Sequence, residues 1–240
     1  QMDNIIDAAN KSGKLSGQLL AFAHRQQMSL RVTDLNRILK NMEEMVRRTS
    51  KHDIVVSVHK TSEHLLVKVD SAQIEQIIIH MVINAQDAMP NGGQITLETS
   101  RVFFSNAEAV QLQDAINERS VLAGGFASLS ISDTGCGMTE EVRRRAFDPF
   151  FTTKGAGLST GLVLSTCYGI IKQHGGLITI YTNQGLGTTF TIYLPLIDQP
   201  PIEIAEEQEL KEVVRGTETI LVIEDNTLVR KVQVGMLHQL

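Results

Sequence analysis

The stretch FASLSISDTGCG, from Phe126 to Gly137, constrains the fold more than any other part of the chain. Its opening FASLSISD alternates apolar and polar residues as a half-buried strand does, and the run ends on a carboxylate, Asp133. Thr134-Gly135-Cys136-Gly137 follows at once, so the backbone leaves the sheet through two glycines. A strand ending in this way opens onto a turn with a free acid beside it.

The flanking segments read as helices and strands in mixed order. Ile5, Ala8, Ser12, Leu15, Leu19 and Phe22 repeat at spacings of 3, 4, 3, 4 and 3, an a/d seam with one polar member. So narrow a stripe predicts a bundle or coiled-coil helix, paired with a second copy or with an upstream neighbour. Thr33 or Asp34 can cap a second helix to about Arg48, with Leu35, Ile38, Leu39, Met42 and Met45 on one face. IVVSVHK (Ile54–Lys60) and HLLVKVD (His64–Asp70) read as the two strands of a hairpin. Asp70 then caps a helix to about Met89, with Gln73 completing a capping box and Pro90 ending it. QITLETSRV and FASLSISD read as strands around a polar excursion, and GGLITIYTN and GTTFTIYLPL as a last pair joined around Gln184–Gly185.

Composition excludes several classes. A net charge of −5 offers no basic field for nucleic acid. The longest apolar run, QIIIHMVINA, is interrupted by His80 and Asn84 and is far short of the ~20 residues of a membrane span. Cys136 and Cys167 stand apart without a CxxC or Cys/His cluster, as two reduced thiols of a cytoplasmic protein would. The chain opens on Gln1 with neither initiator methionine nor signal peptide, and reads as a segment of something longer.

Three groups carry candidate chemistry. At the strand end, Asp133 can accept a hydrogen bond from an exocyclic amine such as that of adenine, while Gly135 and Gly137 let backbone approach a flat ring; common Asp-x-Gly turns share the pattern. In the helix HMVINAQDAM, His80, Asn84 and Asp87 fall on neighbouring turns. There the Asn84 amide oxygen can face a phosphate-bound Mg²⁺ or be satisfied by backbone. In FDPFFTTKGAGLSTG, phenylalanines can anchor a loop that Gly155 and Gly157 let move. Lys154 can meet a terminal phosphate or simply be solvated, and Thr160 precedes a helix whose first N–H groups would face a triphosphate.

In order and spacing these groups resemble the GHKL (Bergerat) ATP-binding fold, an α/β two-layer sandwich, and within it the catalytic domain of two-component sensor histidine kinases. His80–Ala88 resembles the N box, DTGCGM the first glycine box, FDPFFTTK the F box, STGLVLS the second glycine box, and HGGLITIYTNQGLGTTFTIYLP the closing strand pair. The resemblance implies ATP and Mg²⁺ as cofactors, Asn84 on the metal, and Asp133 on the adenine amino group between Gly135 and Gly137, with Thr189 nearby. It implies nucleotide contacts from Asp87, Thr160 and Leu162, and a mobile ATP lid with Lys154, Gly157 and Gly161. Lys154 is the candidate catalytic charge, and His80 a candidate weak base.

On the same resemblance, residues 1–30 are the second helix of a dimerisation and histidine-phosphotransfer domain, through which the full protein would dimerise. Residues 31–196 are the catalytic domain, 197–217 a linker, and 218–240 the start of a receiver with Glu224 and Asp225 as its acidic pair. The phosphoacceptor histidine and aspartate fall outside the segment, and the parent reads as a hybrid kinase with a receiver in cis and a response regulator in trans. Two departures bear on activity. His80 stands where these kinases have asparagine and the related ATPases a glutamate, which implies poor hydrolysis. Ser159 and Val163 replace glycines of the second glycine box, which implies weakened binding, a nucleotide-independent pseudokinase, or a displaced lid. A slow ATPase with His80 as base is the third reading.

Overall fold

Asp34 both ends the first strand and starts the first helix. In the computed structural model, which describes residues 28–110, 123–154 and 160–197, its carboxylate accepts from the Asn36 N–H at 2.9 Å, capping helix α1 (Leu35–Thr49). Leu35, Ile38, Leu39, Met42 and Val46 are buried along that helix. Met45, expected on the same face, is 52% exposed, because the stripe steps four residues from Met42 to Val46.

The strands form two sheets. β1 (Arg31–Asp34) pairs antiparallel with β3 (Leu66–Val69). A five-stranded mixed sheet contains β2 (Ile54–His59), β4 (Gly93–Phe104), β5 (Gly124–Asp133), β6 (Leu177–Asn183) and β7 (Gly187–Pro195) in the order β2-β4-β5-β7-β6, parallel only at β2–β4. The expected β2–β3 hairpin is therefore corrected: both strands exist, but they belong to different sheets. The cause lies in the connection. Asn36 donates to the carbonyls of Thr61 and Glu63 at 3.1 and 2.8 Å, and the Leu65 N–H reaches Asp34 Oδ1 at 3.2 Å. These bonds draw the chain towards β1 and away from β2.

Helix α2 (Ser71–Asp87) starts at Asp70, whose carboxylate accepts from the Ala72 N–H at 3.1 Å. The other half of the expected capping box is absent. The Asp70 N–H goes to His174 Nε2 at 3.0 Å, and Gln73 is buried with Oε1 unpartnered among the described residues. His174 caps the far end of helix α4 (Val163–Gln173), so one hydrogen bond ties the start of α2 to the end of α4. A short helix α3 (Glu140–Arg145) begins at Thr139, which accepts from the Val142 N–H.

The helices cover one face of the five-stranded sheet. Leu39, Ile74, Ile77, Ile78, Met81 and Ile171 meet Ile95, Leu97, Leu129, Ile131 and Ile192 in one core, and each fully buried aliphatic side chain contributes ~1.5–3 kcal/mol. The opposite face is lined with hydroxyls: Ser100 with Ser128 at 2.6 Å, Ser132 with Thr189 at 2.9 Å, Ser130 with Thr191 at 3.4 Å. This is the one-sided burial typical of antiparallel sheets, and it makes an α/β sandwich of two layers. Of the expected N-terminal helix over residues 1–30, only 28–30 are described and they carry no helix; the rest of it, the linker beyond residue 197 and the receiver-like segment lie outside the described residues.

Candidate functional site

The alternation of β5 decides where Asp133 points. Leu129 and Ile131 are buried towards the helices, and Asp133 follows them with the same parity, at the strand end where helix cover stops. It borders a cavity of about 400 Å³, within the usual range for small-molecule sites. Gly135 N–H donates to Asp133 Oδ1 at 2.8 Å and Thr188 N–H to the same oxygen at 3.3 Å. Burial pushes the carboxyl above its ordinary pKa, and the two amides only partly offset this. Oδ2 has no partner among the described residues.

The turn after Asp133 is held by the protein itself. Cys136 N–H donates to Ala88 O at 3.1 Å, Gly185 N–H to Cys136 O at 2.7 Å, and Met138 N–H to Thr182 Oγ1 at 2.9 Å. Gly137 has φ +64°, and a Cβ there would run into the Asn183 carbonyl; one on Gly135 would lie 2.7 Å from Ala88 O. These glycines serve tight backbone packing first. Gly137 lines the cavity and Gly135 does not.

The floor and rim come from several elements. The end of α2 supplies Asn84 and Asp87; α3 supplies Val142; the start of α4 supplies Val163 and Leu164; β7 supplies Thr188 and Phe190. Asn84 Nδ2 is buried without a hydrogen-bond partner among the described residues. Lys154 Nζ lies 2.6 Å from Asp87 Oδ2 at the cavity rim. Gly161 also lines the cavity. Its φ is +66°, and a Cβ would lie 2.7 Å from Phe151 O, so glycine is required. Helix α4 starts without a side-chain cap, leaving its first N–H groups and positive dipole end beside the cavity.

The phenylalanines expected to anchor the F-box loop divide. Phe147 packs on Tyr168 with centroids 5.3 Å apart, and Phe151 lies 4.3 Å beneath the Arg145 guanidinium. Phe150 has φ +66° and a ring 60% exposed, so it ties the loop through its backbone, whose N–H donates to Gly161 O at 3.0 Å.

The structure therefore brings Asn84, Asp87, Asp133, Gly137, Lys154 and Gly161 to one cavity. It leaves others outside. Thr189 sits on the hydroxyl face with Ser132, whereas its neighbour Thr188, opposite Asp133 in register, lines the cavity. Strand alternation alone could have found it. Thr160 and Leu162 do not line the cavity, and Leu162 is buried as the residue preceding α4. Gly157 and Ser159 lie outside the described residues. His80 does not line the cavity either. Its Nδ1 faces Cys167 Sγ on α4 at 3.7 Å, burial lowers its pKa, and burial pushes the Cys167 thiol up to about 12. Among the described residues no three His, Cys, Asp or Glu side chains cluster as a metal cage.

Comparison with known proteins matches this arrangement. Residues 69–198 match the family described as histidine kinase-, DNA gyrase B- and HSP90-like ATPase. The sensor kinase CckA of Brucella abortus is 37% identical over 234 residues, covering 95% of this chain, while this chain covers 24% of that protein's length. The catalytic domain of the histidine kinase ThkA superposes with a TM-score of 0.52 at 27% identity, covering 70% of this chain and 97% of that one. ShkA, solved in complex with AMPPNP, superposes with a TM-score of 0.59 at 21% identity, covering 81% of this chain and 38% of that one. The chain belongs to the histidine kinase-, DNA gyrase B- and HSP90-like ATPase family, and within it to the ATP-binding catalytic domains of the sensor histidine kinases of two-component signalling.

Proposed function

We propose that the cavity binds ATP together with Mg²⁺, and that the full protein transfers the γ-phosphoryl group to a histidine beyond this segment and then to an aspartate. The observation that carries the reading is Asp133: a half-buried carboxylate at the cavity, with one oxygen held by two backbone amides and the other left for a donor. An exocyclic amine is the matching donor. Val142, Leu164 and Phe190 would supply the apolar walls for the ring.

The donor set fits Mg²⁺. That ion keeps most of its waters and takes few protein oxygens, and the Asn84 amide oxygen at the cavity would supply one without a cage. Bound there, Mg²⁺ would neutralise phosphate charge. The residues of the chain do the rest by position. The uncapped start of α4 offers N–H groups to phosphate oxygens, Lys154 offers a point charge, and Asp133 fixes the base. His80, turned towards Cys167, would not serve as a hydrolytic base, which favours transfer over steady ATP hydrolysis.

The wider assembly belongs to the same proposal. The N-terminal helix would dimerise the full protein, and a receiver in cis, with a response regulator in trans, would take the phosphoryl group in the cytoplasm. No described helix is long and apolar enough to cross a membrane. Calorimetric titration with a non-hydrolysable ATP analogue, with and without Mg²⁺, tests the reading. Saturable binding that strengthens with Mg²⁺ and is lost in Asp133→Asn supports it. Absence of heat in the wild type, with binding in Val163→Gly, points to the nucleotide-independent module. Steady phosphate release from ATP points to the slow ATPase.

A further inference from the structure

The ion pair between Lys154 and Asp87 stands where helix physics gives Asp87 little reason to be. Asp87 is the last residue of α2, at the negative end of the helix dipole, and no basic residue in that last turn balances it. Its partner comes instead from the last residue of the F box, 67 positions along the chain, at 2.6 Å. Asn84 lies three residues earlier on the neighbouring surface of α2, and both line the cavity. Helix α4, packed antiparallel on α2, presents its positive end to the same cavity. The cavity is polarised: an anion is favoured at the α4 side and a cation at the α2 side.

We propose that Asp87 is a positioning and selectivity residue for Mg²⁺-bound nucleotide, a role that rests on the nucleotide reading above. In the nucleotide-free chain the Asp87 carboxylate holds Lys154 at the rim. When a metal–triphosphate enters, Lys154 exchanges its carboxylate for a phosphate, and the released carboxylate joins Asn84 in serving the cation. Metal-free nucleotide gains the lysine but leaves a bare carboxylate facing phosphate, so Asp87 selects against it. The exchange is easy because both side chains are about two-fifths exposed, and pairs of that exposure hold only weakly.

The test is calorimetric titration of the 240-residue chain with a non-hydrolysable ATP analogue, in MgCl₂ and in EDTA, on wild type, Asp87→Asn, Lys154→Gln and the double variant, each verified as folded by thermal unfolding. In EDTA, Asp87→Asn is expected to bind up to about fivefold tighter than wild type. Its gain from Mg²⁺ should shrink by at least about fivefold, the low end of ordinary site coupling. In the Lys154→Gln background the EDTA gain should be smaller, because no lysine remains to be released. An unchanged Mg²⁺ ratio in Asp87→Asn, or a full EDTA gain without Lys154, overturns this inference while leaving nucleotide binding intact. No saturable binding by wild type in either buffer sinks the nucleotide reading, and this inference with it.

Discussion

Thr188 delivers its backbone N–H to the same Asp133 oxygen that Gly135 already holds, at 3.3 and 2.8 Å. Two amides on Oδ1 fix the carboxylate and leave Oδ2 as the acceptor for a ligand. Asparagine at this position would keep the first oxygen and turn the second terminus into a donor. Asp133→Asn is therefore expected to lower affinity for an adenine nucleotide by about tenfold or more, since a donor would then face a donor. The unliganded protein should move the other way. Burial raises the Asp133 pKa, so its ionised form costs stability at neutral pH, and that cost disappears as pH falls through the raised value. Asp133→Asn should show a higher Tm than wild type at pH 7, with the difference narrowing in acid. A lower Tm at pH 7 would contradict the burial argument.

Two glycines should respond in opposite directions to alanine. Gly137 has φ +64° with no room beside Asn183, so Gly137→Ala is expected to cost ~2–4 kcal/mol and to lower nucleotide affinity. Gly169 lies inside α4, and a Cβ added there would meet nothing within 4 Å, so Gly169→Ala should stabilise by ~0.5–1 kcal/mol. Denaturant midpoints of the two variants against wild type check both signs.

The elements themselves were legible where a local rule decides them. Asp34 and Asp70 cap helices as their residue type and context predict, and Asp133 ends its strand at the cavity. Partner choice was less legible. The β2 and β3 runs carry the same alternation whether they pair with each other or not, and Asn36, twenty-five or more positions away, settles the matter by holding Thr61 and Glu63. Resemblance placed Thr189 at the site, whereas parity with Asp133 selects Thr188. The Lys154–Asp87 pair joins residues far apart in the chain and had no local signal at all.

His80 predicts an acid-sensitive core. Burial lowers its pKa below the ordinary 6.5, so the unfolded chain takes up a proton before the folded one does. Its contribution is intact above that pH and is lost as pH falls towards the lowered value. His80→Asn should flatten the decline in Tm below pH ~6.5. It should also leave phosphate release from ATP unchanged, because the ring faces Cys167 and not the cavity. A large drop in phosphate release would instead mark His80 as a base.

Val163 sets a trade between helix and ligand. It is the first residue of α4, has no positive φ, and lines the cavity beside the uncapped N–H groups. The backbone therefore carries no strain from valine, and the branched side chain itself occupies the anion side. Val163→Gly should open that space and tighten binding of an ATP analogue. It should also cost ~0.2–0.5 kcal/mol of stability in the free protein through helix propensity. Affinity and Tm measured on the same preparation should thus move in opposite directions. If both fall together, valine supports the site by packing, and the glycine of related sequences is not what this cavity lacks.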